Sequence, residues 1–467
     1  MSSEVSTPSA AVGGTRSAAV RAVDVAALSA RLAELAPQVR VDLEALARIP
    51  SVSAPSFDQT HVSASAAFVA DLLRQAGLPE VEVLRVEGGA PAVVARRPAP
   101  AGAPTVLLYA HHDVQPPGAR EAWHSEPFEP TERDGRLYGR GVADDKAGIM
   151  VHLAALRTLG DDLGVGVTVF VEGEEEVGSP TFETFLGAHR ERLAADVIVV
   201  ADSGNWRIGE PALTTSLRGL VDGTVEVRTL DHALHSGMYG GAVPDATMAL
   251  VRLLDTLWDD AGAVAVAGLH SGEAAELPYT EAELRADSGL LDGVELVGSG
   301  SLLSRLWTRP ALTVIGIDVP AVAVASNTLQ AVARAKFSLR LAPGQDPAQA
   351  FTALREHLLG HAPFGAQVSV ELGELGSPWA GDVDGPVYDA ARWALQQTWG
   401  VAPVSMGVGG SIPFIAALQR VYPQAAVLVT GVEDPDSRAH GADESLHLGE
   451  FAKACLAETL LLARLAG

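Results

Sequence analysis

Apolar residues along this chain recur with two distinct periods. From Val25 to Ile49 they return at helical spacing until Pro50 breaks the pattern. From Asp145 to Leu159, the residues Ile149, Met150, Leu153, Leu156 and Leu159 share one helical face. Short apolar runs, Pro91 to Arg96, Thr105 to Ala110, Val165 to Val171 and Val197 to Ala201, read as strands. The last two are β-branched and uncharged, the signature of strands buried on both faces. This β/α alternation predicts an α/β fold in which a mixed sheet is covered by helices.

The character changes near Thr214. Leu217 to Val227, Arg334 to Leu341 and Gln367 to Leu372 alternate as half-exposed strands do, and Pro244 to Leu257 and Pro347 to Leu359 read as helices. Two helices on an antiparallel sheet would form a self-contained α+β insert. After Ser377 the earlier style returns, with a helix from Val387 to Thr398, a strand from Ala425 to Val429 and a closing helix from Glu450. The expected organisation is a loose leader over 1–24, one domain in two segments (25–214 and 377–467), and an inserted domain over 215–376.

Composition narrows the partners. Apolar residues make up 48% of the chain, and 33 basic against 58 acidic residues give a net charge of -25. Such a surface repels phosphate backbones and anionic lipid, so nucleic acid and membranes are poor partners. The single cysteine, Cys455, excludes an intramolecular disulfide and a thiolate zinc site. Apolar runs fall well short of a bilayer span and the N-terminus lacks a compact export signal, which together predict a cytoplasmic protein.

Three segments place polar residues where strands end, the usual ligand position in open α/β sheets, and a fourth lies immediately before a helix. In Tyr109-Ala-His111-His112-Asp113-Val-Gln115-Pro116, His111 suits a metal ligand oriented by Asp113, although a plain polar loop reads equally well. In Gly139–Gly148, the Asp144 carboxylate could bridge two cations, but helix capping is the simpler role. After the strand ending at Phe170-Val171, three adjacent glutamates, Glu174 to Glu176, either form a solvated turn or answer a counter-cation, one binding metal and its neighbour acting as a base. Asp202 ends a further strand. His232 and His235 lie in the insert and His440 near the C-terminus; singly, such histidines are more often structural. Taken together, three carboxylates and two imidazoles suit a pair of zinc or manganese ions. Two divalent cations against Asp144, Glu176 and Asp202 leave about one positive charge, which a bridging hydroxide neutralises.

The motifs HHDVQP, GRGVADDKAG, EGEEEVGSP, HSGMYGG, GGSIP and AHG, in this order and combination, resemble the dinuclear-zinc metallopeptidase family of carboxypeptidase G, aminoacylase-1 and succinyl-diaminopimelate desuccinylase. The likeness runs from about residue 30 to the C-terminus and is nearest the cytosolic non-specific dipeptidase and carnosinase branch. It implies a zinc-exopeptidase-like catalytic domain with an inserted lid and dimerisation domain. By resemblance, His111 and Asp202 would bind one metal, Glu176 and His440 the other, and Asp144 would bridge them. Asp113 would orient His111, and the family's Glu-Glu-x-Gly-Ser pattern makes Glu175 the general base. His235 would reach the neighbouring subunit's site to stabilise the oxyanion, His232 being the weaker candidate. Asn327, also across the dimer, Arg340, Gly410 and Ser411 would hold the substrate.

Two positions depart from the pattern. Ala110 stands where relatives often have glycine, and His112 occupies a usually apolar position from which it could compete as a ligand. The resemblance implies two divalent ions per subunit, zinc first and manganese or cobalt as alternatives, in a homodimer acting on small peptides. Aspartate rather than glutamate at 202 goes with dipeptidases. The expected activity is therefore dipeptide hydrolysis by a metal-bridging hydroxide with a glutamate base. The alternatives are an N-acyl-amino-acid amidohydrolase, a carboxypeptidase-type exopeptidase, or a non-catalytic metal- or peptide-binding dimer.

Overall fold

The computed structural model describes residues 23–381, 383–410 and 412–467. The expected leader falls almost wholly outside these residues, and Ser411 does too.

Apolar, β-branched segments build a nine-stranded sheet. Its centre is four parallel strands in the order Gly166–Glu172, Thr105–His111, Val197–Val200 and Ala426–Val429. Antiparallel strands Ala92–Arg97 and Glu80–Leu84 extend one side. On the other, Ala212–Leu217 pairs with Trp379–Ala380 and, in parallel, with Val404–Val408. Successive side chains serve opposite faces. Val106, Leu108 and Ala110 join a core with helices Val25–Ala47, Thr60–Gln75, Lys146–Leu159, Pro386–Trp399 and Leu448–Leu465. Leu107, Tyr109 and Phe170 face Phe182–Ala188 and Pro413–Val421, where the rings of Tyr109 and Phe414 stack at 3.9 Å. The expected mixed sheet covered by helices is what forms.

A second sheet is wholly antiparallel, in the order Ala311–Asp318, Val332–Leu341, Gly219–Arg228 and Gln367–Gly376. Its alternating residues, such as Val221, Val225, Phe337 and Leu339, are buried under helices Ala246–Asp255 and Pro347–Gly360. The opposite face carries charged residues, including Glu226 paired with Arg334 and Asp222 with Lys336. Within 215–376, the helix Leu302–Trp307 packs not on this sheet but on the first, with Trp206 and Met406 around Trp307. Among the described residues, no helix is long and apolar enough to cross a membrane.

Candidate metal centre

The four parallel strands end on one edge, and the chemistry gathers there. His111 closes its strand, fully buried, with Nε2 3.1 Å from Asp144 Oδ1 and 3.8 Å from Asp202 Oδ1. Asp144 Oδ2 lies 3.0 Å from His440 Nε2, which is 3.2 Å from Glu176 Oε2. The result is two triads, His111–Asp144–Asp202 and Asp144–Glu176–His440, with potential ligand atoms in each within 4.8 Å of one another. The two triads share Asp144. All the donors are imidazole nitrogen or carboxylate oxygen, which fits borderline divalent cations of the zinc class.

Capping does not account for Asp144 or Asp145. The helix starts at Lys146, and its preceding residue Asp145 makes no side-chain cap bond. Asp145 instead accepts the His111 main-chain N–H at 3.1 Å, tying the two ligand segments together. Gly148 permits this closeness: a Cβ there would lie 2.1 Å from Asp145 Oδ1 and 2.6 Å from the Ala201 carbonyl.

A surrounding layer holds the two triads. Asp113 accepts the main-chain N–H of Glu175 at 3.2 Å and of Glu176 at 3.1 Å. Its carboxylate is 3.4 Å from His111 Nδ1, while the Asp113 carbonyl, at 3.1 Å, makes the hydrogen bond to that nitrogen. Gln115 donates to Glu176 Oε2 at 2.8 Å. Glu444, fully buried, pairs with Arg140 at 2.6 Å and accepts the amides of Gly141, Ala143 and Asp144. Arg140 in turn donates to the carbonyls of His440 and Gly441. This clamp joins the Asp144 loop to the His440 loop across about 300 residues of sequence. His440 sits there in the left-handed region, at φ 63°.

The glutamate triplet separates by role. Glu174 is spent on structure, accepting from Ala90, from the Thr181 amide and from the Thr181 hydroxyl. Glu176 faces His440. The Glu175 carboxylate makes no hydrogen bond or ion pair among the described residues, and burial followed by the nearby Asp202 charge holds its pKa well above the usual carboxylate range. Hydrogen bonds to Asp144 and Glu176 push His440 up to about 11. For His111, burial opposes the charge, but Asp113, Asp144 and Asp202 outweigh it and hold the pKa well above normal. Burial raises Glu176 to about 7.

His112 is not a member of either triad. It turns away to donate from Nε2 to the Pro91 carbonyl at 2.8 Å, and burial lowers its pKa to about 4. His235 and Asn327 are also apart from the cluster. Leu234–His235 pairs with Thr328–Leu329 in a two-stranded ribbon, and the Ser236 amide donates to the Asn327 carbonyl at 3.0 Å. His235 and Asn327 are both exposed. Arg340 lies half-buried on the second sheet opposite Leu220, and Gly410 follows the strand Val404–Val408. His232 is exposed and paired with Asp231.

Sequence reasoning passed over the supporting residues Gln115, Glu444 and Arg140, which stood inside quoted motifs or beside them, and Arg218. Their signal was weak because each acts on a segment distant in sequence.

The sequence matches the profile of Peptidase family M20/M25/M40 over residues 107–464. It is 36% identical over 417 residues to the cysteinylglycine-S-conjugate dipeptidase of Corynebacterium striatum, covering 88% of this chain and 91% of that protein. It is 32% identical over 369 residues to the Beta-Ala-His dipeptidase of Rattus norvegicus, covering 74% and 73%. The fold superposes on the dipeptidase Dug1p of Saccharomyces cerevisiae with a TM-score of 0.81 at 23% identity, covering 95% and 98% of the two chains.

Proposed function

Since the chain belongs to Peptidase family M20/M25/M40, we propose that it is a metal-dependent dipeptidase. The observation that carries this reading is Asp144 shared between two ligand triads, with the unpaired Glu175 carboxylate beside them. His111 and Asp202 would hold one ion, Glu176 and His440 a second, and Asp144 both. Zinc suits the set best, and manganese or cobalt would also fit it. Bound divalent ions would polarise the scissile carbonyl and lower the pKa of the attacking water.

The chain's own residues do the rest. Glu175 takes the proton of the attacking water and hands it to the leaving amine, its carboxylate being committed to no other partner among the described residues. Asp113 fixes the Glu175–Glu176 backbone and the His111 ring. The Gly237 amide donates to His235 Nδ1 at 3.1 Å, so a neutral His235 carries its proton on Nε2, ready to donate to an oxyanion. Arg340, Gly410 and Ser411 meet the substrate, with Asn327.

His235 and Asn327 act in trans in this reading, within a homodimer formed by an inserted domain spanning 215–376 on the catalytic segments 25–214 and 377–467. Support comes from the open edge strand Ala311–Asp318 and the loop after it, where Ile315, Ile317, Val322 and Val324 are exposed, Val322 at 96%. The cytoplasm is the compartment this reading assigns.

The test uses protein stripped of metal and refilled with zinc or manganese, assayed on dipeptides including β-Ala-His and cysteinylglycine conjugates, alongside N-acetyl amino acids. Dipeptide turnover that requires metal and is silenced by Glu175→Gln is expected. Preference for acylated amino acids would move the activity to amidohydrolysis, and metal uptake without turnover to a binding dimer.

A further inference from the structure

Arg218 is the single residue between the strands Ala212–Leu217 and Gly219–Arg228, at the junction of the two sheets. Its main-chain N–H donates to the Val408 carbonyl at 3.2 Å. Its guanidinium is half-buried and held by main-chain oxygens alone: Nε donates to Gly409 at 3.0 Å and Nη1 to Arg305 at 3.4 Å. Among the described residues no carboxylate pairs with it and Nη2 makes no hydrogen bond. That nitrogen lies against Gly409, where a Cβ would meet it at 2.7 Å and the Leu306 carbonyl at 3.0 Å, so a side chain there would have to push the guanidinium aside.

Arg340 stands close by, since it pairs with Leu220, two residues beyond Arg218. Burial, then the like charge of Arg340, lowers Arg218 to about 10. Glu374 acts on Arg340, and burial acts on it more strongly. A half-buried guanidinium without a counter-charge, beside a second guanidinium, is costly to keep. A carboxylate between them would supply that charge, and its two oxygens suit a guanidinium fork. Nη2 lies against Gly409, beside Gly410, where the substrate loop begins.

We propose that Arg218 is a specificity residue that binds the C-terminal carboxylate of the dipeptide together with Arg340, and at the same time fixes the Gly409–Gly410 turn. The inference rests on the dipeptidase reading, which supplies the carboxylate.

The experiment compares a dipeptide with the same dipeptide as its C-terminal amide, using metal-loaded wild type, Arg218→Met and Arg218→Lys. Wild type is expected to prefer the free acid. Arg218→Met is expected to lower kcat/KM for the acid about 10- to 100-fold, mostly through KM, the range for a hydrogen bond to a charged group. The amide should change less than about threefold, because it lacks the charge that Arg218 reads. Arg218→Lys keeps the charge and should retain an intermediate preference, and it alone decides the matter if Arg218→Met does not fold. Equal losses on acid and amide reduce Arg218 to a staple for the Gly409 turn and overturn the proposal, as does an unchanged preference. If wild type refilled with metal cleaves neither compound, the dipeptidase reading fails and this inference falls with it.

Discussion

The strand-end cluster and the His235–Asn327 ribbon carry similar residues in opposite physical states. In the cluster, His111 and Asp113 are fully buried, Asp144 nearly so, and each contacts other charged or main-chain groups. On the ribbon, His235 and Asn327 are exposed, and among the described residues they bond only to neighbouring main chain. Buried groups that satisfy one another make a site preorganised within one chain. Exposed polar groups on a short ribbon stabilise little, and they gain a role only against another surface. In the proposed dimer, the bond-breaking chemistry would belong to one chain and the completion of the site to a second.

The sharpest way to strain that division is Glu175→Gln. General-base catalysis is worth roughly 100- to 10,000-fold, so kcat should fall by that much with metal content unchanged, as read by steady-state rates and metal analysis. Retained activity would move the base elsewhere in the glutamate triplet, although Glu174 is already committed to Ala90 and Thr181. His235→Ala comes next. An oxyanion donor contributes about 100- to 1,000-fold, and loss of that size without loss of metal is expected. Mixing His235→Ala with Glu175→Gln subunits should restore activity at roughly a quarter of the sites if random pairing places each intact group opposite the other. No recovery would place His235 in its own subunit's site.

The Arg140–Glu444 clamp tests how far the cluster is self-supporting. Removing one partner of a buried ion pair costs about 3–5 kcal/mol. Glu444→Ala should therefore lower the denaturation midpoint markedly and loosen metal binding, because the amides of Gly141, Ala143 and Asp144 lose their acceptor. A comparable change on the ribbon, Asn327→Ala, should leave the midpoint almost unmoved.

Acidity separates the regions as well. Metal uptake must displace the proton that His440 keeps up to about pH 11 in the metal-free site, and the one that His111 holds well above its ordinary range. Affinity should weaken as pH falls, and calorimetry in buffers of different ionisation enthalpy should register proton release. Without metal the sign for folding is opposite. His440 is raised from 6.5, so its contribution is complete below that pH and fades as pH climbs toward about 11. A buffer-independent enthalpy would mean that both imidazoles are already neutral.

The central strands were legible because a strand buried on both faces has few alternatives. Val197–Val200 and Gly166–Glu172 are mostly β-branched, uncharged runs up to the terminal glutamate, and their ends pointed to Asp202 and the glutamates. Helix Thr60–Gln75 was not legible, since its first turns, Thr-His-Val-Ser-Ala-Ser-Ala-Ala, are mostly small or polar and only Val62 among the large apolar residues of its buried face comes before Val69. The edge strand Ala311–Asp318 was hidden for another reason: a register shift between Val314 and Gly316 breaks its alternation. Arg218 could not be seen at all. Its meaning depends on Gly409 and Arg305, both distant in sequence, and on a carboxylate that is absent from its surroundings.

The smallest expected effect concerns His112, the residue beside His111 that departs from the resemblance. Burial keeps it neutral, with a pKa of about 4, and Nε2 is committed to the Pro91 carbonyl while Nδ1 has no partner. It therefore acts as a buried hydrogen-bond donor that anchors the strand beginning at Ala92, and it belongs to neither triad. His112→Leu should cost about 1–3 kcal/mol by leaving the Pro91 carbonyl unpaired. Metal stoichiometry and kcat should stay as they are. If the variant instead binds one ion fewer, His112 is a ligand after all. The border between the reacting cluster and its structural support would then run through His112 itself, because proximity alone would have failed to distinguish a ligand from a brace.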